Sequence, residues 1–296
     1  MIKEMVQNGV CAVFTTFHPE ADVLENISAV RPQVQHLVVV DNGSPSEAIE
    51  ALVDAAESMD FHLIKNPRNL GIASALNIGS QWSMEKGCSL LLYFDQDSTA
   101  TPGMVAELLN TYRTGESPES IGLVATTNRE RHTGFWVAPL HDKAGEAVLA
   151  MTSGSLVPAA VLEKCGPFED DFFIEFVDHE FCLRLRSYGY RILLCSTAVM
   201  THDVGFPRTH SFLGLFRCRC IHHRPARRYY FARNLLVLVF RYWRTEPLWA
   251  RVELVSFFKS LLKVTIFEDH RTKKLWMVAR GLFDGMRHAL GYRVAL

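Results

Sequence analysis

Four short apolar runs fall within the first hundred residues: VCAVFTTF, HLVVVDNG, FHLIKN and SLLLYFDQD. Stretches with helical spacing separate them, over 21–30, from Ser46 to Ser58, and from Ile72 to Lys86, where Gly87 stops the pattern. A continuous β-branched run of this length has no polar face to leave in water, so it reads as a strand covered on both sides. Strands alternating with helices in this order predict a parallel sheet with right-handed crossovers. Ligands of such sheets gather beyond the carboxyl ends of the strands. The polar clusters of this chain fall there: Thr15 and Thr16, then Asp41-Asn42-Gly43, then Asn66 to Asn69, then Asp95-Gln96-Asp97.

Further along, IGLVATTN and EAVLAMTS read as two more strands, DHEFCLRLRSYG as a helix stopped by Gly189, and YRILLCSTAVM as a last strand. Beyond about residue 210 the pattern becomes basic and aromatic helices, RRYYFARNLLVLVFRYW and WARVELVSFFKSLLKVTIF. This change divides the chain into a first domain over 1–210 and a helical region over 211–296. The 296 residues are 48% hydrophobic, enough to bury a substantial core, and 31 Lys+Arg against 32 Asp+Glu argue against nucleic acid as a partner. Seven cysteines form neither a disulfide framework nor a repeated C-x-x-C zinc pattern, which fits a reducing cytoplasm. The N-terminus lacks the pattern of a signal peptide and no apolar run is long enough to span a bilayer.

Asp95 and Asp97, two apart on an extended chain, face the same way, while Gln96 faces the other. Two hard oxygen ligands with open positions suit Mg²⁺ or Mn²⁺ bridged to a phosphate, although a solvated turn has the same sequence. Asp41 at a strand end can accept a pyrimidine N–H or a ribose hydroxyl, or close an Asx-turn with no ligand. Arg68 and Asn69 precede a helix whose first N–H groups are unsatisfied, which suits a nucleotide or ordinary capping. In FFIEFVDHEFCLR, Asp178 stands at the mouth of a helix whose Phe181, Cys182, Leu185 and Tyr188 share an apolar face. It can cap that helix and, with Glu175 and Glu180, form an acidic cluster able to hold a general base. His202 follows a strand, where it can complete the metal site, meet a diphosphate, or be structural. In RRYYFARN, Arg227, Arg228, Tyr229, Tyr230 and Arg233 lie within two helical turns, able to grip phosphates, lie on an anionic membrane, or form a solvated face. CRCIHH lacks the separated half-sites of usual zinc folds.

In this order the motifs TTFHP, VVVDNGS, NLGIASALNIG, DQD, TSGSLVP, FFIEFVDHEFCLRLRSYGY, the H-x-x-G of His202 to Gly205, and RRYYFARN resemble the inverting glycosyltransferases of family 2, and among them the bacterial rhamnosyltransferases. The resemblance runs over residues 10–240. It implies a GT-A fold, Rossmann-like, with a mostly parallel central sheet flanked by helices, followed here by a helical extension. It implies nucleotide contacts from Thr15, Thr16, Asp41 with Asn42, and Asn69 with Arg68, and metal contacts from Asp97 with Asp95 nearby. Asp178 matches the family's base, with Val177 where an acidic pair would have Glu, and His202 meets the metal or the donor diphosphate. Ser153 and Gly154 match a turn flanking donor and acceptor, and Arg228 and Tyr230 are carried as further donor contacts. The implied reaction moves L-rhamnose from dTDP-β-L-rhamnose to a hydroxyl of a lipid-linked glycan, in surface polysaccharide synthesis such as O-antigen, lipopolysaccharide or capsule. A UDP-galactofuranose or UDP-hexose donor, or a non-catalytic nucleotide-sugar-binding partner, are the alternatives. A nucleotidyltransferase would carry a Gly-rich basic phosphate loop near the N-terminus, and TTFHP is neither. Trp243, Trp249 and Trp276 among Arg and Lys lead us to expect peripheral contact with an anionic membrane at the cytoplasmic face.

Overall fold

The structure, a computed structural model, describes residues 9–131, 134–136, 140–142, 146–202, 208–212, 216–220 and 223–295, with backbone alone for 208–212 and 216–220. Chain contacts divide it into two compact units, Met1–Asp170 with Asp178–Asp203, and Asp171–Val177 with Val204–Leu296.

The first unit holds an eight-stranded sheet. In chain order its strands are β1 (Val10–Thr16), β2 (His36–Asp41), β3 (His62–Lys65), β4 (Leu90–Asp95), β5 (Ser98–Ala100), β6 (Ile121–Glu130), β7 (Ser155–Pro158) and β8 (Arg191–His202). Their spatial order is β3-β2-β1-β4-β7-β6-β8-β5. The β3-β2-β1-β4 half is parallel, β7 runs antiparallel to both its neighbours, β6 and β8 are parallel, and β5 closes the edge antiparallel to β8. This is the mixed α/β arrangement of GT-A folds.

Every residue of β1 is buried, as its unbroken apolar run requires. Alternate residues serve opposite faces. Val10, Ala12 and Phe14 join a core with Leu90, Leu92 and Phe94 of β4, and Phe14 stacks on Phe94 at 4.7 Å. The same core takes Val23, Ile27 and Val30 from α1 (Val23–Val30), and Met104, Val105, Leu108 and Tyr112 from α4 (Met104–Thr114). At about 1.5–3 kcal/mol for each large apolar side chain removed from water, this cluster is the main support of the unit. α2 (Ser46–Ser58) turns Ile49 and Leu52 inward. α3 (Ile72–Glu85) lies against β1 and β2 with small residues facing in.

Three expectations need correction. FHLIKN is not covered on both faces: β3 is the edge strand, with exposed His62 and Lys65 where an edge needs polar protection. EAVLAMTS is no strand among its described residues, and the sheet takes SLVP instead. The stretch after residue 210 does not begin with helix: Arg208–Phe212 and Phe216–Cys220 form an antiparallel pair, β9 and β10. Of CRCIHH, the side chains of Cys218 and Cys220 and all of His222 lie outside the described residues, as does Gly205 of H-x-x-G. Burial, with Arg227 and Arg228 beside it, pushes the His223 imidazole down to about 4.

The second unit contains α7 (Pro225–Tyr242), α8 (Pro247–Phe267) and α9 (Arg271–Met286). α9 approaches α7 closely at Gly281, where an added Cβ would fall 2.3 Å from the Tyr229 carbonyl oxygen. Trp249 is fully buried, against the expectation that it faces a membrane, whereas Trp243 and Trp276 are more than half exposed, with Arg244 and Arg280 stacked over them. None of the described helices is long and apolar enough to cross a membrane. The α5 (Ala159–Cys165) and α6 (Val177–Ser187) helices complete the elements around the sheet.

Candidate active site

The carboxyl ends of β1, β2 and β4 lie side by side, Thr15 beside both Val40 and Asp95, and Thr16 beside Asp41. β1 is where the winding reverses, since β2 and β3 lie on one side of it and β4 on the other. Beyond β4 the chain turns through Gln96 and Asp97 into β5, whose Ser98 pairs with His202 at the end of β8. That pairing joins segments distant in sequence, so one ligand atom each from Asp95, Asp97 and His202 lie within 4.8 Å of one another. Asp97 Oδ1 is 3.3 Å from His202 Nδ1. Two carboxylates and one imidazole, with the carboxylates from a single turn, fit a hard divalent cation that keeps open positions.

Buried serines tie these residues together. The Asp95 N–H donates to Ser153 Oγ at 3.0 Å, Ser153 Oγ donates to Ser98 Oγ at 2.7 Å, and Ser98 Oγ is 2.8 Å from His202 Nδ1. Ser153 reaches this position because Gly154, at φ +80°, lies where a Cβ would come 2.1 Å from Thr126 Oγ1. The Gly154 N–H donates to the Tyr93 carbonyl and its own carbonyl accepts from Thr126, which wedges the turn between β4 and β6.

On the other side of β1, Asp41 is buried and its carboxylate is saturated: Oδ1 accepts from the Thr16 and Ser44 hydroxyls, Oδ2 from the Gly43 and Ser44 N–H groups. Asn42 donates to Asn69 Oδ1 and the Gly71 carbonyl, and accepts from Asn66 and the Leu70 N–H. The start of α3 is thereby held to the end of β2. Arg68 projects into solvent from this knot.

Asp178 sits in the first turn of α6, where its Oδ1 accepts the His179 N–H at 2.8 Å. The acidic cluster around it divides. Glu180 is fully buried and gripped by the Arg184 guanidinium, and Glu175 pairs with Arg227 at 2.6 Å. Among the described residues Asp178 has no Lys or Arg partner. The helix is held to the sheet by two contacts. Phe168 packs edge-on against Tyr93 of β4 and also against Phe181, and Cys182 Sγ bonds to the backbone of Ala150, just before the Ser153 turn. Burial pushes the Cys182 thiol up to about 12, so it acts as a small packed group. Tyr188 does not join that apolar face and is 52% exposed.

Residues 11–150 match the profile of Glycosyl transferase family 2. The chain is 28% identical over 97% of its length to the dTDP-rhamnosyl transferase RfbF of Shigella flexneri, covering 98% of that protein. Residues 11–150 therefore form a glycosyl transferase family 2 domain. Solved structures agree on the fold. A mannosyltransferase from Pyrobaculum calidifontis, in complex with GDP-Man and Mn²⁺, has a TM-score of 0.57 at 16% identity, covering 97% of this chain and 80% of that one. TarS 1-349 of S. aureus with UDP-GlcNAc gives 0.56 at 12% identity, covering 96% and 93%.

In this glycosyltransferase the structure brings together Thr15, Thr16, Asp41, Asn42, Asn69, Asp95, Asp97, Ser153, Gly154 and His202 at the ends of neighbouring strands, as traced above. It revises what several of them can do. The Ser153 hydroxyl and the Asp41 carboxylate are consumed inside the protein, so they hold their neighbours in place instead of presenting open polar groups. Arg228 and Tyr230 have their polar groups engaged within the second unit. Arg228 is buried in the second unit, bonded to Ser260 and Glu268, and Lys274 completes the buried cluster. The Tyr230 hydroxyl is bonded to Val294.

The RRYYFARN motif gains a different role in the second unit. The segment leading into Asp178 has three non-glycine residues with left-handed backbone, Phe173, Glu175 and Phe176. Asn234 donates to the carbonyls of Phe172, Ile174 and Glu175, and buried Arg233 donates to those of Asp171 and Phe172. Sequence reading missed Asn234 as well as Ser98. The only local signal was a basic, amide-bearing motif on an otherwise apolar helix.

Proposed function

We propose that the chain transfers L-rhamnose from dTDP-β-L-rhamnose to a sugar hydroxyl of a lipid-linked glycan, with inversion and with a divalent cation. The near full-length likeness to a dTDP-rhamnosyl transferase supports the donor. The observation that carries the reaction type is the Asp95, Asp97 and His202 triad at the reversal point of the sheet. When bound, Mg²⁺ or Mn²⁺ there supplies charge neutralisation to a diphosphate leaving group. The remaining work belongs to the chain. The strand ends from Thr15 to Asn69, with the exposed Arg68, form the nucleotide side. Asp178, which has no Lys or Arg partner among the described residues, takes the proton from the acceptor hydroxyl as its oxygen attacks the anomeric carbon from the face opposite the leaving group. A single displacement of this kind inverts the centre.

The direct test is melting temperature against dTDP, UDP and GDP, each with Mn²⁺ and with chelator, since a ligand bound to the folded state raises it by mass action. A shift with dTDP that is larger with Mn²⁺ than with chelator is expected. A preference for UDP would move the donor to another sugar, and no response to any nucleotide would overturn the reading.

The lipid-linked acceptor brings a membrane into the proposal. Along α8, Leu248, Val252, Val255, Phe258, Leu262 and Ile266 recur at helical spacing and are 36–63% exposed, with Arg251 and Lys259 exposed beside them. An apolar stripe bordered by cations suits an anionic bilayer surface. The double substitution of Phe258→Glu and Leu262→Glu is expected to reduce binding to vesicles containing phosphatidylglycerol by about tenfold or more, with melting temperature little changed. Equal binding by the wild type and the variant would remove α8 from the contact.

A further inference from the structure

Resting on the metal site just proposed, we infer that Arg131 is a positioning residue that holds the acidic turn and His202 in ligand-ready geometry. Arg131 lies immediately after β6, and its backbone N–H donates to the His202 carbonyl at 3.0 Å. Its guanidinium reaches the other half of the triad. Nη2 donates to the Asp97 carbonyl at 2.9 Å and to Thr99 Oγ1 at 2.8 Å, while Nη1 is paired with Asp22 at 2.7 Å. One residue therefore spans both chain segments that supply the metal-facing groups.

A third segment backs this arrangement. Asn26, buried on α1, donates to the Gln96 carbonyl at 2.8 Å and accepts from Thr99. The Gln96 side chain in turn accepts the Phe17 N–H at 2.8 Å, which fixes the loop after Thr15 and Thr16. Asp97 and Gln96 thus have their backbone carbonyls held from behind, and their position does not depend on the cation. Two carboxylates within a single turn repel each other, so without such anchoring the turn would relax outward when the cation leaves.

The guanidinium's place among these acceptors argues against a role in stability alone. Arg131 and Asp22 are partly exposed, 28% and 38%, and ion pairs of that exposure contribute little to folding. A lysine could satisfy Asp22 or the Asp97 carbonyl, but it lacks the planar fork that serves both.

The experiment measures Mn²⁺ affinity of the full chain by the paramagnetic resonance signal of free Mn²⁺, and dTDP affinity in chelator. Arg131→Gln is expected to weaken Mn²⁺ binding by about tenfold or more, the range found when residues behind metal ligands are changed. Affinity for dTDP in chelator is expected to stay at the wild-type value, and Arg131→Lys to recover part of the Mn²⁺ affinity. If the glutamine variant does not fold, Asp22→Asn replaces it. This partly exposed change leaves Nη1 only a neutral acceptor in place of the carboxylate, and a smaller, severalfold weakening is expected. Wild-type Mn²⁺ affinity in the folded variant would overturn the role of Arg131 and leave the metal site standing. Absence of Mn²⁺ binding by the wild type would overturn both.

Discussion

Asp178→Asn is expected to lower turnover by about a thousandfold, within the range that general bases contribute, while dTDP affinity in Mn²⁺ stays near the wild-type value. That loss corresponds to about 4 kcal/mol of transition-state stabilisation. The substitution is nearly isosteric, and the asparagine oxygen can still accept the His179 N–H that Asp178 accepts at 2.8 Å. The first turn of α6 therefore keeps this contact, so a change in rate cannot be assigned to a displaced helix. Neither neighbouring acid can substitute. Glu180 is fully buried against Arg184, and Glu175 is engaged by Arg227. The measurement is kcat on a glycan acceptor alongside donor affinity by calorimetry. Equal losses in rate and in donor affinity would mean that Asp178 holds the donor and does not take a proton.

The parallel half of the sheet was legible because its strands carry their own signal. β1, β2 and β4 are unbroken apolar runs, and each ends on the polar residues that meet at the crevice. In the other half, β6 and β8 were legible as IGLVATTN and YRILLCSTAVM, whereas β5 and β7 were not. β5 is three residues long, and β7 is the four residues SLVP, too short for any periodicity to separate from a loop. EAVLAMTS has more strand-like composition than SLVP, yet the sheet selects the latter because the turn at Gly154 delivers it between β4 and β6. α4 went unassigned although Met104, Val105, Leu108 and Tyr112 have helical spacing. At the site, carboxylates at strand ends were visible as types, but their availability was not. Asp41 and Ser153 look open in sequence, and only tertiary hydrogen bonding shows that they are occupied. RRYYFARN invited a phosphate or membrane reading because Arg227, Arg228, Tyr229, Tyr230 and Arg233 fall on two turns. Its arginine and asparagine instead satisfy backbone carbonyls of a left-handed segment that no local pattern announces.

Asp97→Ala is expected to abolish the Mn²⁺-dependent part of nucleotide binding and to reduce transfer by more than about a hundredfold, because single groups that stabilise developing charge are worth that much. At dTDP a hundredfold above its dissociation constant, the ligand adds about 2.7 kcal/mol to the stability of the folded state. For a chain of this size that is a shift of several degrees, and the variant should lose the portion that depends on Mn²⁺. The residual shift in chelator should match the wild type, since the knot of Asp41, Asn42 and Asn69 is built from the end of β2 and the loop before α3 and owes nothing to Asp97. The variant should fold, because the Asp97 side chain is 41% exposed and its turn stays anchored through the backbone carbonyls of Gln96 and Asp97. The comparison separates two roles that the proximity of Asp97 to His202 would otherwise blur. If the carboxylate only orients the imidazole, the Mn²⁺-dependent shift survives in the alanine variant. If it is a ligand, the shift goes, and Asp95 with His202 alone offers too few donors to retain the cation.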